Sequence, residues 1–496
     1  MVITAGLMLS LFLSSMESTV VATAMPTIVS QLGGLSGYSW VFAAYMLTST
    51  TTVPLFGKLS DIYGRRPLFL AAMLLFLGGS LLCGMAQTMP QLIAFRAVQG
   101  IGAGGLLPLI FTMIGDLFSL EQRAKIQGLF SAVWGVSAVV GPLLGGFLVD
   151  SVSWRWVFLI SIAPGLLACV VVGRAWQAGQ RSDAARPAID WAGAGLLTVG
   201  VVLLLIGLLD IQTPLGWAAL GAAVLCGAAL WRVERRAVDP VLPLRLFGDR
   251  VFAVACLHGL LAGCTLFGVS SYIPLYAQGV LGTDAIGAGS ALTPMLLGWV
   301  AASIVSGRLI ARVNARTLVL IGVVALMFGA VLLTQAGRLT SPLALGAALG
   351  LMGVGMGLSI PILLIAVQTS VARGDLGTAT ATVQFSRSIG GTIGVSIMGA
   401  VLSIGLNAQI AAAGLDPQVV DELLRPEGAG AQIAGGAQAA LALALQGVFT
   451  VALIAAALTL VVGWFTPAGK VASFAVRRPP APGGEEAAPQ SSAAHL

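Results

Sequence analysis

The sequence predicts an all-α polytopic membrane protein of about fourteen transmembrane helices, and three observations carry that expectation. Charged residues make up 9% of the 496 and hydrophobic ones 57%, with a mean hydropathy of +0.98. Apolar runs long enough to cross a bilayer follow one another along nearly the whole chain. The basic residues crowd into alternate connections between those runs.

The composition excludes a soluble domain, which carries roughly 25% charge; with so little charge, lipid has to be the solvent for much of this surface. Sixty-four glycines suit helices that pack closely in a bilayer. The net charge of +6 and pI near 9.4 do not indicate nucleic acid, because the basic excess sits in short loops between apolar spans. The five cysteines (Cys83, Cys169, Cys226, Cys256, Cys264) are scattered through apolar segments without metal-ligand spacing, so no metal site is expected. The first apolar stretch has no basic leader and carries Glu17, so it reads as a span and not as a cleavable signal.

A span needs roughly 20 mostly apolar residues. The segments are Ile3–Ser30, Tyr38–Gly57, Leu68–Ala86, Gln91–Phe118, Ile126–Val149, Trp156–Trp176, Trp191–Leu209, Gly216–Trp231, Val251–Val280, Gly287–Ile310, Thr317–Ala336, Pro342–Thr369, Thr378–Gly405 and Leu441–Phe465. With the N-terminus inside, twenty of the 25 Lys and Arg fall on the cytoplasmic side, three (Arg155, Arg338, Arg425) outside, and two (Arg96, Arg387) within spans. That bias predicts a multi-pass protein of the cytoplasmic membrane with both termini cytoplasmic.

A weak repeat at an offset of 250 predicts two similar six-helix bundles. Gly57-Lys58-Leu59 matches Gly307-Arg308-Leu309, Gly100 and Gly105 match Gly350 and Gly355, and Arg123 matches Arg373. The organisation read from it is an N-terminal bundle over 1–180, a linker with helices 7 and 8 over 181–248, and a C-terminal bundle over 249–470. A long outer connection at 405–440 contains a short helix capped by Asp416, with Pro417 at its first position, which serves as a lid or as a passive loop. The tail, 471–496, reads as disordered.

Few residues in the spans carry chemistry. A carboxylate mid-span costs roughly 2.5–3.5 kcal/mol on insertion scales, so Glu17 marks either an ion path or a structural carboxyl bonded to hydroxyls such as Ser14 or Ser18. The ion path is favoured, since a buried carboxyl exchanges protons readily. Arg96 enters from the outer face at roughly 9 Å depth, comparable to Glu17, which makes the two candidates for partnership or for a shared cavity. Arg387, near mid-span in helix 13, either contacts substrate or holds that helix to another, and Gln99 joins it as a candidate for the substrate cavity. His258 reads as a packed histidine. Gly100-Ile101-Gly102-Ala103-Gly104-Gly105 matches a nucleotide-loop pattern but lies inside an apolar helix, where close packing explains it. Gly57-Lys58-Leu59-Ser60-Asp61-Ile62-Tyr63-Gly64-Arg65-Arg66-Pro67 forms a tight cytoplasmic turn with one acid among its bases.

That turn resembles the loop 2–3 motif of the major facilitator superfamily, and the whole chain resembles the superfamily's fourteen-helix drug:proton antiporter branch. The resemblance implies that Gly57, Asp61, Gly64, Arg65 and Arg66, with Asp116 as acidic partner, form a cytoplasmic charge network that stabilises the outward-open state. Arg96-Ala97-Val98-Gln99-Gly100-Ile101-Gly102 is similar to the helix 4 motif, whose arginine is implicated in proton handling. Gly135, Gly141, Pro142, Gly145 and Gly146 lie in a stretch that resembles the helix 5 antiporter motif, whose Gly-Pro pair bends the helix. The stretch from Glu17 to Pro26 resembles the helix 1 motif of the branch, with Glu in place of the usual Asp. Trp154-Arg155-Trp156-Val157-Phe158 fits the pattern before helix 6, with Ser161 where the branch has Asn.

The function this implies is a proton-coupled antiporter that exports small lipophilic drugs and dyes, cationic or neutral, by alternating access. Glu17 and Arg96 carry the proton coupling. The alternative on the same fold is an exporter of an endogenous lipid, siderophore or metabolite. No cofactor is expected, the drive being the proton gradient. The expected partners are substrate, protons and membrane lipids, with the protein a monomer and not an enzyme. An intramembrane enzyme needs paired carboxylates or a nucleophile with its base, and the spans offer neither.

Overall fold

A computed structural model describes the chain apart from residues 1, 33–37, 177–189, 210, 212, 238–239, 241, 243, 284–290, 338, 414–430 and 475–496. The described residues are mostly helical, without strands, and every apolar segment read from the sequence overlaps a helix. In chain order the helices are α1 Val2–Leu32, α2 Tyr38–Tyr63, α3 Arg65–Met85, α4 Met89–Leu117, α5 Leu120–Ser151, α6 Trp156–Ala175, α7 Trp191–Leu209 and α8 Pro214–Glu234. They continue as α9 Arg250–Gly279, α10 Thr293–Leu309, α11 Ala315–Thr334, α12 Pro342–Ser370, α13 Leu376–Ala413 and α14 Ala431–Trp464. Among the described residues, nine helices are long and apolar enough to cross a membrane. α6 is interrupted at Ile160-Ser161, where the Ser161 hydroxyl bonds the Phe158 carbonyl at 2.8 Å.

The ends of these helices follow from local chemistry. Thr88 caps α4 and Ser341 caps α12, each with proline in the first turn, where the missing N–H is not needed. Both helices also carry an internal proline, Pro108 and Pro361, so the weak sequence repeat reappears as a repeat of helix design. The outer connection expected over 405–440 is shorter than that, because α13 runs on to Ala413 and α14 begins at Ala431. Both extensions are alanine-rich and lack proline, so nothing stops the helix. The helix expected at Asp416-Pro417 lies outside the described residues.

Packing links α1 with α5 and α6, α4 with α2 and α3, α12 with α10 and α11, and α9 with α13 and α14. Two seams cross between the first six helices and the last six, α2 on α13 and α5 on α10. α7 packs on α8 and rests against α2 and α13. Leu74, Leu166, Leu225, Leu297, Phe328 and Leu458 stand exposed, as a lipid-facing surface requires. Cys83, Cys256 and Cys264 are buried, Cys169 and Cys226 half-buried, and all five are free thiols.

Glycines set the closest approaches. In α4, Gly100 and Gly104 press on Tyr45, Thr48 and Ser49 of α2, while Gly102 presses on Phe76 of α3, so the nucleotide-loop look-alike is a packing stripe.

Candidate functional site

Close packing of α4 on α2 and α3 leaves no room for water around Arg96, which is 1% exposed. Its side chain is satisfied from four directions. Nη1 donates to Glu17 Oε1 on α1 and, at 2.7 Å, to Gln99 Oε1 one turn on. Nε donates to the Val41 carbonyl at 3.2 Å, and the guanidinium lies 4.2 Å from the centre of the Tyr45 ring. Glu17 is 5% exposed; Oε1 takes the arginine, whereas Oε2 is buried without a hydrogen-bond partner. Ser15, two residues before it, donates to Ser137 on α5 at 2.6 Å and ties α1 to the helix carrying the glycine-rich motif.

Of the two sequence readings for these charges, the structure selects partnership. Glu17 is bonded to Arg96 and not to Ser14; the Ser18 side chain lies outside the described residues. Gln99, the other candidate for the substrate cavity, is 0% exposed here, with Oε1 on Arg96 and Nε2 donating to Ser80 at 2.7 Å, so its amide helps to fix the guanidinium.

Where the C-terminal end of α2 meets the start of α13, a second set of charges bridges the α2–α13 seam. Gly64 turns the chain from α2 into α3 with φ +92°, a conformation open to glycine. That turn brings Arg65 back onto Asp61, while Arg65 Nε donates to Asp116 Oδ2 at 3.0 Å. Asp116 sits at the C-terminal end of α4, where an acid opposes the helix dipole unless it is paired. Asp61 accepts the N–H groups of Gly377 at 3.0 Å and Thr378 at 2.7 Å and the Thr378 hydroxyl at 2.6 Å. It therefore caps the N-terminus of α13 from another part of the chain. Burial raises the Asp61 carboxyl above the usual carboxylate range, against the pull of Arg65 and Thr378. A Cβ on Gly57 would strike Ala381, so that glycine lets the seam close. Arg66 is exposed and makes no ion pair with a described residue.

In the glycine-rich motif, α5 is helical without a break from Leu120 to Ser151, through Gly141-Pro142. Gly135 faces Val300 of α10, 3.2 Å from where a Cβ would stand, so it belongs to the second seam. Gly141 and Gly145 are buried, Gly146 has open space beside it, and the Pro142 side chain lies outside the described residues. A cavity of about 350 Å³ lies at the same end of the helices as this network, lined by Asp116, Arg123, Gln368 and Leu376 among others.

Fold, seams and buried ion pair can be set against known proteins. The family model of the Major Facilitator Superfamily matches residues 7–395. The chain belongs to the major facilitator superfamily. Two Bacillus subtilis (strain 168) members of the superfamily, Multidrug transporter protein MdtP and Multidrug resistance protein 3, are each 40% identical to it, over 404 and 402 residues. Each alignment covers 80% of this chain, with 74% of the first protein and 78% of the second. Efflux pump dotC of Dothistroma septosporum is 33% identical over 413 residues, covering 80% of this chain and 70% of the pump. The fold matches two solved superfamily structures. The human organic anion transporter MFSD10 has TM-score 0.61 and 17% identity, over 92% of this chain and 99% of that one. The proton:xylose symporter XylE has TM-score 0.63 and 14% identity, over 95% and 96%. The superfamily consists of transporters, and this member is a multi-pass membrane transporter with multidrug and efflux relatives.

Sequence reasoning missed Tyr45, Ser15 with Ser137, and the Thr378 cap, because an aromatic or hydroxyl residue in a span is common and gives no signal of its own. It also missed Arg245, which pairs with Asp375 at the start of α13. The acid directly before a helix N-terminus was the available clue.

Proposed function

We propose that this transporter is a proton-coupled antiporter that exports small lipophilic compounds, cationic or neutral, from the cytoplasm across the cell membrane. In this reading fourteen helices cross the bilayer with both ends cytoplasmic. Residues 1–180 and 249–470 rock against each other, and the monomer needs no cofactor. The observation that carries it is the buried pair of Glu17 and Arg96, with Glu17 Oε2 left unpartnered. A proton and a guanidinium compete for the same carboxylate, so protonating Glu17 breaks the pair and frees α1 from α4. The cytoplasmic ends are bound together across the α2–α13 seam, which fits an outward-facing member of the cycle. In that state Glu17 takes a proton and substrate leaves. In the inward-facing state the proton leaves and substrate enters. Relatives named for multidrug transport and efflux at 33–40% identity support the direction and the breadth of substrate.

The test is purified protein in liposomes under an imposed pH gradient. Wild-type protein exports ethidium at a rate that collapses with the gradient, and Glu17→Gln removes gradient-driven export while the protein stays folded. A wild-type rate indifferent to the gradient refutes the coupling.

A further inference from the structure

α13 presents four directions. Ala381 faces Gly57 of α2, and Phe385 and Ile389 share a cluster with Val53 of α2 and with Leu197 and Val201 of α7. Val383, Gly390 and Gly394 face Gly259, Leu260 and Cys264 of α9. Ile389 and Ile393 turn to the α7 side. Thr380, Gln384 and Arg387, spaced by four and three, share one stripe that points away from α7, and Arg387 and Gly391 at its far end meet α9. Arg387 meets α9 through its backbone at Gly263 and through its backbone N and Cβ at Gly259.

This stripe is rich in donors and lacks acceptors to meet them. Thr380 is 0% exposed, and its Oγ1 has no hydrogen-bond partner. Gln384 is 4% exposed, and its Nε2 has none either. Arg387 is half-buried and forms no hydrogen bond or ion pair with any described residue. Arg96 shows how this chain surrounds a guanidinium that is met from within the protein, with a carboxylate, an amide, a carbonyl and a ring around it. Arg387 has none of these, yet it stands about 16 Å along α13 from its cytoplasmic start, too deep for a lipid headgroup in a core roughly 30 Å thick.

We infer that Thr380, Gln384 and Arg387 form a binding site for an anionic acceptor group, a carboxylate or sulfonate, carried by the transported compound. The inference rests on the export reading and extends it. The substrates include lipophilic compounds with an acidic group, whose charge is met by α13 while Glu17 and Arg96 on α1 and α4 handle the proton. A planar guanidinium fork matches a carboxylate with two parallel bonds, and the amide and hydroxyl add donors along the same stripe.

Rhodamine 110 and its methyl ester, rhodamine 123, differ in whether the carboxylate is free, and fluorescence polarisation with purified protein in phosphatidylcholine nanodiscs measures both affinities without a gradient. In wild-type protein rhodamine 110 binds. In Arg387→Gln the ratio of the two affinities moves against rhodamine 110 by about tenfold or more, as expected for losing a charged hydrogen bond. Gln384→Leu moves the ratio the same way by a smaller factor, and Arg387→Lys restores part of it. An unchanged ratio in Arg387→Gln, or wild-type protein that fails to bind rhodamine 110, overturns the inference. Gradient-driven export of rhodamine 123 in liposomes is read separately. Its absence alongside carboxylate-selective binding sinks the export reading and leaves the site standing.

Discussion

The Glu17–Arg96 pair and the Asp61–Arg65–Asp116 network use the same side-chain chemistry in opposite settings. The first lies within the packing of α1 and α4, with side chains 4% and 1% exposed, and links helices of one half. The second sits at the helix ends, with Asp116 26% exposed, and reaches across to α13. A buried pair in low dielectric has a large desolvation cost, so removing one partner is severe. In the network Asp61 and Arg65 are 7% and 10% exposed, and the link to the more exposed Asp116 is the part that solvent screens. In the proposed cycle the difference separates their roles: the interior pair responds to a proton, and the network at the ends biases which side is closed.

The largest effect tests the interior pair. Arg96→Ala leaves the Glu17 carboxylate buried without its counter-charge, and thermal unfolding of the purified protein should show a loss of about 3–5 kcal/mol. Adding Glu17→Gln should recover a large part of that loss, because the neutral amide no longer needs a cation. Additive losses in the double variant would mean that the two residues do not act as a pair. A smaller cost belongs to the seam. Gly57→Val places methyl groups against Ala381, and overpacking of this kind costs about 1–3 kcal/mol. That cost falls on the closed cytoplasmic side alone, so pulsed-EPR distances between spin labels at the cytoplasmic starts of α3 and α11 should lengthen. Unchanged distances would show that the seam has slack.

The legibility of the sequence follows the same division. The spans could be read because hydrocarbon imposes length and composition, and Glu17, Arg96 and Arg387 stood out because a charge in a span is rare. Asp61, Arg65 and Asp116 could be named through the family resemblance, and the structure brings those three together. What could not be read was rotation about each helix axis. Gln99 and Arg387 looked alike as polar groups in glycine-flanked spans, yet one is locked behind Arg96 and the other stands unpaired on α13. A helix with apolar residues on all sides gives no periodicity from which to assign a face. The reach of α13 to Ala413 was also hidden, because apolar length marks where hydrocarbon ends and not where the helix does.

The smallest effects separate a cap from a salt bridge within the network itself. Asp61→Asn keeps the shape and removes the charge on the N-terminus of α13, so the closed state should lose about 1 kcal/mol, seen as a partial shift in the same spin-label distances. Arg245→Ala removes an ion pair to Asp375, the residue directly before that terminus. Its side chain is 66% exposed, however, so the shift should stay between about 0 and 1 kcal/mol and shrink further in high salt. An Arg245→Ala shift equal to that of Asp61→Asn would show that net charge around the α13 terminus closes the seam. A clear gap between the two would show that the buried carboxylate does so through its bonds to Gly377 and Thr378.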